Sequence, residues 1–86
     1  MAALFDLIES LLSNLLNASV GELSDAERAE VQAFMDVGEY GLALETTADI
    51  YAEEKKIPST EVLSLIEQLA IAMSMAPESV LERLQK

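Results

Sequence analysis

The chain of 86 residues has no cysteine, no histidine and no tryptophan. Without cysteine there is no disulfide framework, no thiolate metal site and no thiol nucleophile, and small secreted domains are commonly stapled by such bridges. Glycine and proline together number five, which leaves few turns to punctuate the chain. Aromatic residues make up 5%, so any core is aliphatic. Bases are scarce as well: five Lys/Arg stand against sixteen Asp/Glu, a net charge of −11. That balance argues against nucleic acid and anionic membrane as partners, since both are bound through cationic side chains. No run approaches the roughly 18 consecutive apolar residues of a membrane span. The opening Met-Ala-Ala-Leu-Phe-Asp lacks the basic region of a signal peptide, and Asp6 and Glu9 interrupt its apolar residues. The expected location is cytoplasmic.

What is present is a hydrophobic fraction of 51%, enough to build a core and too much for a disordered chain. A chain of this length makes one domain, 1–86, burying roughly 60–65% of its unfolded surface. The charge is unevenly placed. Residues 1–54 hold twelve acids and the single base Arg28, whereas residues 55–86 hold four of each. The whole excess lies in the first two-thirds, as suits one face meeting a basic partner.

Apolar spacing divides the chain into helices. Leu4, Leu7, Ile8, Leu11, Leu12 and Leu15 recur at helical intervals, with Phe5 and Leu16 widening the arc. This predicts a first helix over 4–16, broken at Asn17–Gly21. Ser24-Asp25-Ala26-Glu27 reads as a capping box opening a second helix that runs to about Val37 and buries Val31, Phe34 and Met35. Gly38 stands where a helix ends with positive φ. A third helix begins near Glu39 or Tyr40 and continues to about Lys55, with Tyr40, Ala43, Leu44, Thr47, Ala48, Ile50 and Tyr51 inward. Lys55 and Lys56 suit its C-terminal dipole. Ile57-Pro58-Ser59 is a boundary, because the residue before proline is pushed away from helical geometry. Ser59 or Thr60 caps a fourth helix burying Val62, Leu65, Ile66, Leu69, Ala70 and Met73, and Pro77 starts a short fifth over 77–85 with Val80, Leu81 and Leu84 inward. The fold class is all-α: a compact bundle of four helices plus a short C-terminal fifth.

Catalysis finds little support in this inventory. Histidine and cysteine are missing, and the carboxylates fall on polar faces, where nothing shifts their pKa values toward acid–base work. An EF-hand loop needs oxygen ligands at fixed positions around a central glycine, and the glycines at 21, 38 and 41 lack that pattern. A carrier protein needs an Asp-Ser pair for its prosthetic arm, and the chain has none. The expectation is a binding protein with no cofactor and no metal.

A surface is left to do the binding. On the third helix Glu45, Asp49 and Glu53 recur at every fourth position, a spacing at which like charges repel by a few tenths of a kcal/mol per pair. Leu42 shares the stripe one turn earlier, and Asp36 and Glu39 at the helix 2–3 corner extend it. An ordinary solvated helix face with a stray leucine has the same pattern. Leu42, Glu45, Asp49, Glu53, Asp36 and Glu39 are the candidate partner-binding residues. Ile71, with Met75 one turn later, is a second apolar candidate that the fifth helix is expected to cover.

The stretch Phe34-Met-Asp-Val-Gly-Glu-Tyr-Gly-Leu-Ala-Leu-Glu45 resembles the Gly-Glu-x-x-x-Ala-Leu-Glu element of MafI-type immunity proteins of bacterial polymorphic toxin systems. The similarity extends through Leu23-Ser24 with Glu27, Ile50-Tyr-Ala-Glu53, Ile57-Pro-Ser59, Ile66 and Met73-Ser-Met-Ala-Pro77, covering about residues 23–84. Ala76 and Val80 depart from the family pattern, which has Asp before the proline and a bulky aromatic after it. The resemblance implies a cytosolic inhibitor that binds a cognate toxin domain, often a basic nuclease, stoichiometrically. The competing expectation is a helical adaptor that self-associates as a homodimer through the first helix or through Ile71 and Met75.

Overall fold

No glycine or proline precedes Gly21, and nothing in the first 18 residues interrupts a helix. The computed structural model, which describes residues 2–84, accordingly runs α1 over Ala2–Ala18, two residues beyond the expected stop. It ends on Ser19, whose buried hydroxyl donates to the Leu16 carbonyl at 2.8 Å. The Ser19 carbonyl then accepts the amides of Glu22 and Leu23, each at 2.9 Å, and Gly21 makes the turn at φ +91°.

The capping box forms as spaced. Ser24 Oγ accepts from the Glu27 amide at 3.1 Å, Glu27 Oε1 accepts from the Ser24 amide at 2.8 Å, and α2 follows over Asp25–Asp36. Helix α3 spans Tyr40–Glu53, α4 spans Thr60–Ala72 behind a Ser59 cap, and α5 spans Pro77–Arg83. No strand forms among the described residues. The architecture is the all-α bundle of four helices and a short fifth.

Helices α2, α3 and α4 share one ending. In each, two amides fold back on the last turn: Gly38 to Met35 and Glu39 to Phe34; Lys55 to Ala52 and Lys56 to Tyr51; Ser74 to Ile71 and Met75 to Ala70. This is the Schellman pattern, whose C′ residue must take a left-handed conformation. Gly38 does so at φ +77°, as its position predicts, but Lys55 at +53° and Ser74 at +59° do so as ordinary L-residues. Lys55 is therefore outside α3, not in its last turn.

Helix α4 packs between α1 and α5, α2 packs on α3, and α3 reaches both α1 and α5. The core runs through Ile8, Leu12, Leu15, Val31, Leu44, Tyr51, Ile66, Leu69 and Val80, with most of the inner face of α3 fully buried. Three long-range hydrogen bonds mark the bundle's ends. At one, the Tyr40 hydroxyl donates to Glu9 at 2.9 Å, pairing the start of α3 with the first half of α1. At the other, Glu22 Oε1 accepts both the Tyr51 hydroxyl at 2.9 Å and the Ser59 amide at 3.1 Å, tying the α1–α2 turn to the end of α3 and the cap of α4.

Several expected core positions lie outside the core. Leu4, Phe5 and Leu7 are exposed because they occupy the first two turns of α1, at the bundle's end, where the neighbouring elements leave them uncovered. Phe34 and Tyr40 are only half-buried. Met75 is partly buried against the core, but Ile71 stays 63% exposed, since it points outward from α4, away from Leu65 and Leu69. The expected end of the fifth helix at Gln85 lies outside the described residues, and α5 stops at Arg83.

Candidate functional site

Helix α3 positions the acidic stripe because its opposite side is committed to the core. Ala43, Leu44, Thr47, Ala48 and Tyr51 are buried, so Leu42, Glu45, Asp49 and Glu53 turn toward the surface. Buried Thr47 satisfies its hydroxyl within the helix, donating to the Ala43 carbonyl at 2.9 Å. Leu42, at 44% exposure, and Glu53 are open to solvent, while Glu45 and Asp49 are partly covered.

What covers them corrects the picture of an unopposed like-charge stripe. Arg83, in the last turn of α5, lays its guanidinium across two successive turns of α3. Its Nη1 donates to both Asp49 oxygens, at 2.9 and 3.0 Å, and its Nη2 lies 3.7 Å from Glu45 Oε2. The hydrogen bond to Asp49, then its charge and that of Glu45, raise the Arg83 pKa above its ordinary value. The repulsion expected between Glu45 and Asp49 is thus offset by a shared cation, and reversing those two charges would set lysines against Arg83. Beside this pair, Asp49, Ala52, Glu53 and Arg83 line an open hollow of about 370 Å³.

At the α2–α3 corner the remaining candidates stay separate. Asp36 accepts from the Gln32 side-chain amide at 2.9 Å, one turn back on its own helix. Glu39 is the N-cap residue of α3, exposed, with no side-chain capping bond. Between this corner and α1 lies a second cleft, of about 390 Å³, bordered by Glu9, Ser13, Gln32, Met35, Asp36 and Tyr40. The Tyr40 hydroxyl donates to Glu9 across it, and that bond is the main cause of the raised Tyr40 pKa. The Phe5 ring leans on Tyr40 with centroids 6.4 Å apart at 40°, within the range of favourable aromatic pairs.

Two residues of consequence escape a reading of the sequence. Glu22 joins three segments, yet as one acid in a Gly-Glu-Leu-Ser turn it carries no periodic signal. Arg83 belongs to the electrically balanced third of the chain, and its partner lies 34 residues away. Its place in the last turn of a helix gave it an ordinary reason to be there.

Among the described residues, no group of three or more His, Cys, Asp or Glu side chains comes close enough to hold a metal ion. No helix among them is long and apolar enough to cross a membrane. The chain matches no protein-family model, no curated protein and no solved structure.

Proposed function

We propose that this chain is a cytoplasmic binding protein, not an enzyme, that neutralises a cognate bacterial toxin domain by occupying a basic surface on it. The observation that carries the reading is electrostatic: the entire excess of −11 lies in residues 1–54, which supply α1, α2 and α3. A nuclease domain is basic where it holds phosphates, so an acidic face competes for that surface and draws it in from solution. Arg83 already occupies Glu45 and Asp49 on α3, so the acids left for a partner on this side are Glu53 and, at the α2–α3 corner, Asp36 and Glu39. The resemblance of Phe34–Glu45 to the immunity-protein element supports the same helix.

The deciding experiment is association kinetics against the product of the neighbouring gene, at low and high salt. Neutralising Asp36, Glu39 and Glu53 to their amides leaves the Arg83 bridge in place and is expected to slow association and flatten its salt dependence. Leu42→Ala is expected to act on the dissociation rate, as an apolar anchor does. An unchanged association rate and salt slope in the triple variant would remove the α3 face and its corner from the interface.

A further inference from the structure

The acidic face carries a cation of its own. Arg83 reaches over α3 from the last turn of α5, 34 residues on from its partner Asp49. Its Nη1 donates to both Asp49 oxygens and its Nη2 stands beside Glu45, so one guanidinium spans two turns of the stripe. The docking of α5 has another basis: Val80 is its buried anchor, and Leu81 and Leu84 pack against the same core. The Arg83 side chain keeps 39% of its surface open to solvent, and exposed ion pairs of this kind add little to stability. Breaking the bridge therefore uncovers two acids of the face without undocking the helix.

The open hollow of about 370 Å³ lies along this bridge, bordered by Asp49, Ala52, Glu53 and Arg83. Glu53 is exposed on its rim. A cationic side chain entering the hollow meets the Glu53 carboxylate, comes next to Arg83 and repels it, and has Asp49 within the same space. Dissolved and tethered cations fare differently there. Arg83 belongs to the chain, and a tethered group acts at an effective concentration of millimolar order. A cation dissolved well below that concentration does not displace it. An arginine on a partner already held by Glu53, Asp36 and Glu39 is tethered as well, and competes on similar terms.

We propose that Arg83 is an autoinhibitory contact: it closes Glu45 and Asp49 to solitary cations, and a basic partner docked on the exposed acids displaces it with an arginine of its own. On the reading of this face as the surface for a basic partner, on which this proposal rests, binding has two steps. Glu53, Glu39 and Asp36 steer and hold the partner first. The exchange at Asp49 follows at contact, and Arg83 swings out to solvent. The incoming group is an arginine and not a lysine, because the fork of a guanidinium reaches two carboxylates one turn apart, whereas an ammonium is a point charge. A protein with a net charge of −11 attracts every cation around it. The bridge reserves the middle of α3 for a cation presented on a matching surface.

Calorimetric titration of the full chain with a hexa-arginine peptide at low salt, together with amide hydrogen exchange in α5, tests this. Arg83→Gln is expected to bind the peptide about fivefold tighter than the wild type. Lys56→Gln, the same change of charge in the α3–α4 turn, is expected to gain less than about twofold, since it unmasks no acid of the stripe. With Glu45→Gln and Asp49→Asn already in place, Arg83→Gln is expected to give no further gain. Saturating peptide is expected to raise α5 exchange in the wild type to the level of Arg83→Gln, because peptide and Arg83 compete for one seat. Equal gains for Arg83→Gln and Lys56→Gln, a gain that persists with the two acids neutralised, or α5 exchange unmoved at saturation would overturn the proposal and leave the acidic face as the binding surface. A peptide that binds neither the wild type nor Arg83→Gln would overturn that reading as well.

Discussion

Three helices end in the same hydrogen-bond pattern, but only one of them ends on glycine, and this makes a controlled comparison. At Lys55 and Ser74 the backbone is left-handed, with φ +53° and +59°, a conformation that costs an L-residue about 1–2 kcal/mol. Glycine removes that strain but gives back about 0.4–1 kcal/mol in unfolded-chain entropy. The net expectation for Lys55→Gly and for Ser74→Gly is a gain of about 0.5–1 kcal/mol each. Lys55 also sits at the negative end of α3, where losing its charge forfeits some favourable interaction. Lys55→Ala loses that too, so the difference between Lys55→Gly and Lys55→Ala isolates the backbone. Gly38→Ala is the converse experiment. A Cβ there would meet nothing within 4 Å, so its cost, about 1 kcal/mol, is backbone alone. Urea titration reads these differences as shifts of midpoint at unchanged slope, and about 1 kcal/mol moves the melting temperature of so small a domain by about 4–8 °C. Lys55 and Ser74 lie at opposite ends of α4, so their gains are expected to add. Equal midpoints for Lys55→Gly and Lys55→Ala, or a Gly38→Ala variant as stable as the wild type, would refute the argument from the left-handed cap.

Other expectations rest on single contacts. Burial, then the bond to Glu22, raises the Tyr51 pKa well above its ordinary 10.0, so its stabilising contribution is complete below pH 10 and is lost as pH rises toward the folded value. Tyr51→Phe should therefore flatten the alkaline limb of a stability–pH profile, leaving the smaller part due to Tyr40, whose pKa Glu9 raises. Leu12→Ala, in the core, should cost about 2–5 kcal/mol, while Leu4→Ala, an exposed residue expected from spacing to be core, should stay within about 0.5 kcal/mol of wild type by thermal melting. Arg83→Gln should speed amide hydrogen exchange in α5, and the paired change Glu45→Gln with Asp49→Asn should do the same without adding to it.

The parts of this fold that could be read from sequence are those set by neighbours three or four residues apart. The capping box at Ser24 and Glu27, the glycine stop at Gly38 and the inner face of α3 from Ala43 to Tyr51 all follow from local spacing, and all form, with Tyr40 at the start of that face only half-buried. Periodicity places a residue on a side of its helix, however, and says nothing about how far along the axis the neighbouring helix reaches. Leu4 and Leu7 fit the arc of α1 and still find no cover. Ile71 likewise required knowing where α5 lies on α4. The left-handed caps at Lys55 and Ser74 were hidden because neither residue type favours that geometry. The stripe was legible as Glu45, Asp49 and Glu53, but its electrostatics depend on Arg83, brought in by the packing of α5 on α3.

That packing redistributes the charge available to a partner. Of the acids on the α3 face, Asp49 is doubly bonded to Arg83 and Glu45 shares the same cation, so a partner must compete with an intramolecular guanidinium to use them. Among the described residues, Glu53 and Glu39 are exposed with no such competitor, and Asp36 accepts a neutral amide from Gln32. Asp36 also borders the cleft that reaches Glu9, where three of the bordering side chains carry an oxygen acid or a phenol. Exposed carboxylates act at a distance with their full charge, whereas a carboxylate paired to arginine contributes little to the long-range field. The force that steers a basic surface toward this protein therefore originates mainly at the α2–α3 corner and along α1 and α2, and the middle of α3 acts only at contact. This is why neutralising Asp36, Glu39 and Glu53 is the sharper test of association rate, and why changes at Glu45 and Asp49 are to be read against the stability of α5.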